Sequence, residues 1–470
     1  MTTKQNASPG DAVGKTYHAS PKDMRRILLS SFLGTAVEYY DFILYATAAG
    51  IVFNQVFFAG LDPNLAIFVS FGTLAVGYIA RPLGGLIFGN LGDKLGRKTI
   101  LMATVVMMGV ASTLMGLLPT TAQVGVWAPI LLVSLRIFQG LAVGGEWGGA
   151  MLLAFESSKK ESRGFASAFA YMGAPAGTIV GTLILSAMST LPKEEFLSWG
   201  WRVPFLFSAV LMMLAVFIRM KVTESKIFNE VSESAQKKQS KVPVAVLFRE
   251  HRKPLLIAVM SGLSGQMAQG LMGAWAISFA VQQAILAQTE VLNLKAFGGV
   301  FTILAIITAS KLSDRLGRRK VLIWGNIGAI ILAFPVMALL DMGNTVAFLL
   351  AIVLGLSIVQ GFTAGPYGAF AGELFPTNVR YSGTSIGYQL ASTLGAGFTP
   401  MIATALVIAG GGKLWLVAAM WMAFSAMSLG ALVFAKDRSG SDIQNLDGDL
   451  GSGNAAQGPT QKHAAVPVKS

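Results

Sequence analysis

The stretch Gly89-Asn90-Leu91-Gly92-Asp93-Lys94-Leu95-Gly96-Arg97-Lys98 lies between two long apolar segments and decides the fold. A second copy lies between two later apolar segments and reads Ser310-Lys311-Leu312-Ser313-Asp314-Arg315-Leu316-Gly317-Arg318-Arg319. The two aspartates are 221 positions apart, from 93 to 314. Glycine permits a tight turn, and the basic residues suit an anionic lipid surface. The duplication of this loop predicts a chain built from two related halves.

A second motif repeats at nearly the same offset. Glu156 precedes Arg163 by seven residues, Glu373 precedes Arg380 by seven residues, and the two copies are 217 residues apart. We predict that the loops and these pairs form a cytoplasmic charge latch, which is made and broken as the halves rock. For a single loop, the simpler alternative is a turn whose positive charges only set topology. The predicted gate residues are Gly89, Asp93, Gly96, Arg97, Lys98, Glu156, Arg163, Asp314, Gly317, Arg318, Glu373 and Arg380.

Composition places the chain in a membrane. Of its 470 residues 53% are hydrophobic and only 13% are charged, and the mean hydropathy is +0.61. A soluble domain carries roughly twice that charged fraction. The absence of cysteine excludes disulfides, thiol nucleophiles and cysteine metal sites. The net charge of +13 is interpreted as a topology signal in cytoplasmic loops and not as a nucleic acid surface.

Hydropathy predicts an all-α membrane protein with twelve spans in two six-helix halves. Of the 36 Lys and Arg residues, 30 fall on one side of this map, two lie within spans, and four lie on the other side, namely Lys193, Arg202, Lys295 and Lys413. This asymmetry predicts that both termini are cytoplasmic. The predicted spans are 26–54, 64–90, 99–118, 125–155, 164–190, 201–220, 254–287, 293–312, 321–340, 345–373, 381–408 and 413–435.

The predicted organisation has five parts. Residues 1–23 form a cytoplasmic tail, 24–220 the first bundle, 221–253 a cytoplasmic linker, 254–436 the second bundle, and 437–470 a disordered cytoplasmic tail. The linker is rich in Ser and Lys and has room for a short interfacial helix within Lys241–Lys253. The last segment lacks apolar heptads, so no coiled coil is expected there.

The loop motif resembles the signature of the major facilitator superfamily, and further motifs resemble its metabolite:proton symporter family. These motifs are Gly34-Thr-Ala-Val-Glu38-Tyr39-Tyr40-Asp41-Phe42, Arg81-Pro82-Leu-Gly84-Gly85, Arg136-Ile-Phe-Gln139-Gly140-Leu-Ala-Val-Gly144-Gly145-Glu146-Trp147, Ser198-Trp-Gly-Trp-Arg202-Val-Pro204-Phe and Glu373-Leu-Phe-Pro376-Thr-Asn-Val-Arg380-Tyr. The resemblance covers about residues 24–436. It implies a major facilitator fold in the bacterial inner (plasma) membrane. It also implies symport of protons with dicarboxylates, citrate, shikimate, or proline and betaine.

Ionisable side chains inside the spans are expected to be paired and functional, because a charge at mid-bilayer costs at least a few kcal/mol. They are Glu38, Asp41, Arg81, Arg136 and Glu146, all in the first half. Helix rise places Glu38, Arg81 and Arg136 near the midplane. We predict Asp41 as the main proton site, Glu38 as a possible sharer of the proton, and Arg136 as the switchable partner of Asp41. Sugar/proton symporters of the superfamily use a similar arrangement; the alternative is a static salt bridge.

The second half is predicted to have no buried charge and to bind substrate through neutral groups. The predicted substrate-binding residues are Arg81, Arg136, Tyr40, Gln139, Glu146, Gln266, Gln269, Trp275, Gln360 and Tyr367. Polar contacts that only hold helices together are the alternative for the neutral residues.

We therefore predict a proton-coupled symporter that imports a small carboxylate by alternating access. A zwitterionic osmolyte symporter, or a non-transporting membrane sensor, is the alternative. An enzyme is not expected, because Gly383-Thr-Ser385-Ile-Gly387 lacks the strand–turn–helix context of a nucleophile elbow. We expect protons, a small-molecule substrate and membrane lipids as partners, no nucleic acid, no cofactor or metal, and a monomer.

Overall fold

The computed structural model describes residues 21–95, 97–144, 151–152, 154–156, 158–223, 243–377 and 379–439, and these parts of the chain are helical with short connections. Ten helices are long and apolar enough to cross a membrane, and two shorter apolar helices complete a set of twelve. In chain order they are α1 (Leu28–Val56), α2 (Pro63–Leu95), α3 (Arg97–Gly116), α4 (Trp127–Val143), α5 (Arg163–Met188), α6 (Lys193–Phe217), α7 (Arg252–Gln282), α8 (Gln288–Leu316), α9 (Arg318–Asp341), α10 (Thr345–Glu373), α11 (Arg380–Ala409) and α12 (Trp415–Phe434).

These helices confirm the predicted all-α fold with twelve spans. A short helix, Pro243–Glu250, precedes α7 within the stretch where an interfacial helix was expected. Helix α8 begins at Gln288 and not at residue 293. Lys295 therefore lies seven residues, or about 10 Å, inside this helix. The prediction that Lys295 is an outer-side cation was wrong, because the loop between α7 and α8 is residues 283–287 and not the predicted 288–292.

The two halves meet through helices that the duplication relates to one another. Helix α5 packs along α8, and α2 packs along α11. Adding six to each number converts α2 into α8 and α5 into α11, so the two contacts are equivalent. Within the first half α1 packs on α5, α2 on α4, and α3 on α6. This arrangement leaves α1 and α7 beside the plane where the halves meet.

Glycine allows α2 and α4 to approach until their backbones touch. A Cβ atom on Gly140 would lie 2.2 Å from the carbonyl oxygen of Gly77, and one on Gly144 would lie 1.9 Å from the carbonyl oxygen of Arg81. Real Cβ atoms do not approach this closely, so larger residues at these positions would separate the helices. Because Arg81 lies on α2 and Arg136 on α4, this contact sets the distance between the two buried arginines.

Replacing Gly144 with Ala should therefore destabilise the first half. The added methyl group meets backbone, which cannot move aside, and such overpacking costs about 1–3 kcal/mol. We expect a lower Tm and less monodisperse protein by fluorescence-detected size exclusion. Gly72→Ala in α2 is the matched control, because its Cβ would meet only Met401 Sδ at 3.8 Å. Equal stability of the two variants would contradict the proposed backbone contact.

Candidate functional site

Asp41 is enclosed within the first half. It is 2% exposed, and its carboxylate accepts a hydrogen bond of 2.5 Å from the Ser208 hydroxyl of α6. Ser112 Oγ of α3 lies near this carboxylate, and its hydroxyl donates to the Met108 carbonyl oxygen over 3.1 Å. Among the described residues, no Arg or Lys nitrogen lies within 4.0 Å of Asp41. The predicted direct pair with Arg136 is therefore not formed in this conformation.

A short hydrogen-bonded chain runs from Arg136 toward Asp41 instead. The Arg136 guanidinium donates to the Gln139 side-chain oxygen one turn along α4. The Gln139 amide nitrogen then donates to Ser112 Oγ over 2.7 Å. Ser112 thus lies between the amide and the Asp41 carboxylate, so a change at Asp41 can reach Arg136 through two neutral groups. Gln139, predicted as a substrate contact, occupies the middle of this link.

Two guanidinium groups lie against one aromatic ring at the centre of the first half. The Cζ atoms of Arg81 and Arg136 are 3.5 and 4.0 Å from the centroid of Phe42. Rings of Tyr78 and Tyr45 add a second cation–π contact for each, at 4.3 and 4.0 Å respectively. Aromatic faces stabilise a buried cation partially and leave its N–H donors unused.

Neither guanidinium has a carboxylate within 4.0 Å among the described residues. Arg81 makes one long contact, 3.5 Å to the Ser392 hydroxyl of α11. Buried nitrogens without a hydrogen-bond partner in the described structure are Arg81 Nε, Arg136 Nε and Arg136 Nη2. Two adjacent cations with spare donors form an arrangement that suits an organic anion.

A small closed cavity lies where the halves meet. Its polar lining includes Tyr171 of α5, Gln266 of α7, Tyr367 of α10 and Tyr388 of α11. Gln360 donates to the Tyr171 hydroxyl over 3.2 Å. The structure thus brings together three residues predicted for substrate binding, Gln266, Gln360 and Tyr367.

Three further tyrosines lie in or beside this cavity, and the predicted substrate set omitted them: Tyr39, Tyr171 and Tyr388. Tyr39 and Tyr388, from opposite halves, share a hydrogen bond between their hydroxyl groups. Tyr171 packs edge-on against Tyr39, with ring centroids 6.2 Å apart. The sequence offered one signal for Tyr39. Adjacent residues of a helix point in different directions, so of the neighbours Tyr39 and Tyr40 either could have been the one that faces the other half.

Other predicted substrate residues lie away from this cavity. Tyr40 points into the first half, where its hydroxyl donates to the Pro204 carbonyl oxygen over 2.8 Å. Gln269 is buried on α7 without lining the cavity, and Trp275 stacks on Phe279 further along that helix. Glu38 is buried one turn before Asp41. Glu146 lies outside the described residues.

The cytoplasmic contact between halves is built around Asp314. Its carboxylate accepts hydrogen bonds from the backbone N–H groups of Gly164 and Phe165, over 2.8 and 2.9 Å, at the start of α5. A carboxylate is favourable there because the first N–H groups of a helix are free and carry partial positive charge. Arg318 holds the same carboxylate at 3.0 Å. Gly317, with φ of 103°, makes the turn that brings Arg318 back toward it.

The ion pairs at this gate do not simply join the glutamate and the arginine of each repeated motif. Arg380 of α11 pairs with Glu156 from the end of α4 at 3.1 Å, so this ion pair joins the two halves. Glu373 pairs with Arg318 of its own half at 3.2 Å. Arg163 is buried beside the Phe155 ring. The corresponding contacts of the first copy of the loop are not described. Gly96 lies outside the described residues, and so do the surroundings of Gly89, Asp93, Arg97 and Lys98.

Contacts between the halves also close the outer side. Ser278 and Gln282 of α7 both donate to the Gly50 carbonyl oxygen of α1, over 2.8 and 2.9 Å. Ser186 of α5 donates to the Asn293 side chain of α8 over 2.8 Å. The halves therefore touch on both sides of the central cavity, as in an occluded state of an alternating-access carrier.

Comparison with known proteins decides the family. Residues 31–400 match the family model described as Major Facilitator Superfamily. The chain belongs to the Major Facilitator Superfamily. It is accordingly a multi-pass membrane transporter and not an enzyme, as the sequence predicted.

Relatives within this superfamily are named as metabolite carriers. The chain is 38% identical over 414 residues to the shikimate transporter of Escherichia coli K12, which covers 88% of this chain and 94% of that protein. It is 40% identical over 387 residues to the inner membrane metabolite transport protein YhjE of the same organism, covering 80% and 87%. It is 32% identical over 400 residues to the proline/betaine transporter of Salmonella typhimurium, covering 82% and 78%.

Solved structures support the same fold. The proton:xylose symporter XylE superimposes with a TM-score of 0.70 over 92% of this chain and all 100% of that chain, at 18% identity. At this identity the likeness speaks for the fold alone.

Asp314→Asn should loosen the cytoplasmic gate. The amide loses the negative charge at the start of α5 and at Arg318, and a capping interaction of this kind contributes about 1 kcal/mol, or roughly a fivefold shift in population. Because the chain has no cysteine, Ser167→Cys in the cavity lining gives a single reporter. We expect about fivefold faster maleimide labelling from the cytoplasmic side of inverted vesicles. The exposed Asp341→Asn is the control; equal labelling in both would contradict the assignment.

Proposed function

We propose that this transporter is a proton-coupled symporter that imports a small carboxylate across the bacterial inner membrane. The observation that carries this proposal is the pair of buried guanidinium groups on Phe42, which have unused donors and no carboxylate partner among the described residues. Two uncompensated cations in a dry interior are costly, and an anionic substrate would compensate them. The names of the shikimate transporter and other metabolite carriers agree with this substrate class.

Proton coupling is assigned to Asp41 and its link to Arg136. When Asp41 is ionised, its carboxylate accepts from the Ser208 hydroxyl and can draw the nearby Ser112 hydroxyl away from the Met108 carbonyl oxygen. Protonation removes that charge, so Ser112 and then Gln139 can change partners, and Arg136 loses its bond to the amide. The freed guanidinium then has more donors for substrate. In this mechanism proton and anion favour one another's binding without touching.

A zwitterionic osmolyte is the second candidate, and the tyrosines favour it. Tyr39, Tyr171 and Tyr388 surround the point where the halves meet, and aromatic rings bind quaternary ammonium groups. The proline/betaine transporter of Salmonella typhimurium is a relative at 32% identity. Phe42, however, already carries two cations, which disfavours a third cation close by.

An uptake screen in proteoliposomes tests the substrate class. Shikimate, succinate, citrate, proline and glycine betaine would each be offered with and without an inward proton gradient. We expect gradient-driven accumulation of a carboxylate and none of betaine. Accumulation of betaine alone would replace the proposed substrate with the second candidate, and failure to transport any of the three carboxylates would contradict the proposed substrate class.

Asp41→Asn should uncouple uptake from the proton gradient. The amide keeps the size and hydrogen bonding of the carboxyl group but cannot take up a proton. We expect accumulation to fall at least about tenfold, a loss of about 1.4 kcal/mol of coupling, while exchange of labelled for unlabelled substrate persists. The matched control is Glu194→Gln, an exposed carboxylate on the outer side. Accumulation with unchanged pH dependence in Asp41→Asn would refute this role.

A further inference from the structure

Lys295 is a wholly buried cation in the second half, where the sequence predicted none. It lies two turns inside α8 and has 0% exposure. Its ammonium group donates a hydrogen bond of 2.7 Å to Thr47 Oγ1 of α1, across the plane where the halves meet. The Thr47 hydroxyl donates its own proton to the Ile43 carbonyl oxygen over 2.7 Å. Thr47 therefore serves Lys295 only as an acceptor.

This contact leaves the charge of Lys295 uncompensated. Within the described parts of the chain, no carboxylate oxygen lies within 4.0 Å of its nitrogen. An ammonium group has three donors, and Thr47 accepts from one of them. Burying an unpaired ammonium costs several kcal/mol, and one neutral hydroxyl offsets only part of that cost. An anion that reached this nitrogen would supply the missing counter-charge.

The position of Thr47 shows when an anion could reach Lys295. Tyr39, Thr47 and Gly50 follow one face of α1, and each contacts the second half. Thr47 lies eight residues, or about 12 Å, outward from Tyr39 and the central cavity. Gly50, the closing contact with α7, lies one turn further out. Opening of the outer side would therefore part Lys295 from Thr47 and expose the ammonium group in the access path.

We infer that Lys295 captures the carboxylate of the incoming substrate on the outer side, before the anion moves inward to Arg81 and Arg136. This inference rests on the proposed carboxylate transport. A cation in a narrow path with apolar walls attracts anions strongly, because the low dielectric screens it poorly. Once the anion has passed, Lys295 returns to Thr47 and the outer side closes.

The rival interpretation is a latch, in which Lys295 matters only for its hydrogen bond with Thr47. Two variants separate these roles. Lys295→Gln removes the charge and keeps a donor for Thr47, whereas Thr47→Val removes the acceptor and keeps the charge. Capture predicts that the first variant loses affinity for the anion and the second does not. A latch predicts that Thr47→Val has the larger effect.

Shikimate uptake into right-side-out vesicles and into inverted vesicles would test the inference. We expect Lys295→Gln to raise KM about tenfold from the outer face and to leave KM from the cytoplasmic face unchanged. Lys295→Arg and Thr47→Val should stay within about threefold of the wild-type protein. If shikimate is not transported, the carboxylate that is transported in the screen replaces it.

Chemical restoration of the charge distinguishes the loss of the charge from a folding defect in the variant. The chain has no cysteine, so Lys295→Cys can be modified at one position. Treatment with 2-aminoethyl methanethiosulfonate rebuilds a lysine-like cation, and methyl methanethiosulfonate adds a neutral group. Recovery of outer-face KM by the first reagent and not the second supports capture. Equal recovery by both reagents would overturn it.

The outcomes separate this inference from the proposed function. If the wild-type protein transports no carboxylate, the proposed function fails, and Lys295 loses its ligand as well. If it transports carboxylates and Lys295→Gln shifts KM equally on both faces, or matches Thr47→Val, only the inference fails.

Discussion

The cost of placing charge in an apolar interior determines how this structure is built. Arg81 and Arg136 share Phe42 because aromatic faces are the available partial compensation. Their separation is fixed by α2 and α4, which touch backbone to backbone at Gly140 and Gly144. Asp41 is satisfied by hydroxyl groups and not by a cation. The first half thus holds opposite charges without a direct ion pair among the described residues, as the proposed binding of a proton and an anion would require.

The repeated motifs and the hydropathy pattern predicted the fold well, and the pairing of charges poorly. The bilayer's thickness sets the length of each apolar span, so each of the twelve spans could be found from its own stretch of sequence. Which glutamate pairs with which arginine depends on how α4 approaches α11, and sequence spacing carries no information on that. Glu156 and Arg380 lie far apart in sequence and meet across the halves, whereas Glu373 stays with Arg318. The interposed Ser112 and Gln139 could not be predicted for the same reason.

Lys295 shows how a small boundary error changes a functional conclusion. A five-residue shift in the start of α8 moves this residue from the outer end of a predicted span to a buried position about two turns inside the helix. The prediction that all intramembrane charge lies in the first half then holds for the carboxylates of the described chain but not for the cations. Membrane-depth carboxylates of the described chain remain in the first half, at Glu38 and Asp41, whereas cations face the transport path from both halves. Under the proposed function, proton handling would be confined to one half and anion binding would be shared.

The two sides of the carrier are closed by different chemistry, and this difference gives the cycle a direction. The cytoplasmic side has ion pairs and a carboxylate that binds a helix start. The described outer contacts are neutral hydrogen bonds and one ammonium group without a counter-charge. Separating the outer contacts hydrates Lys295 and recovers its solvation energy, whereas separating the cytoplasmic contacts breaks charge pairs. An empty carrier should therefore open outward more readily than inward, which is the order that the proposed uptake would require.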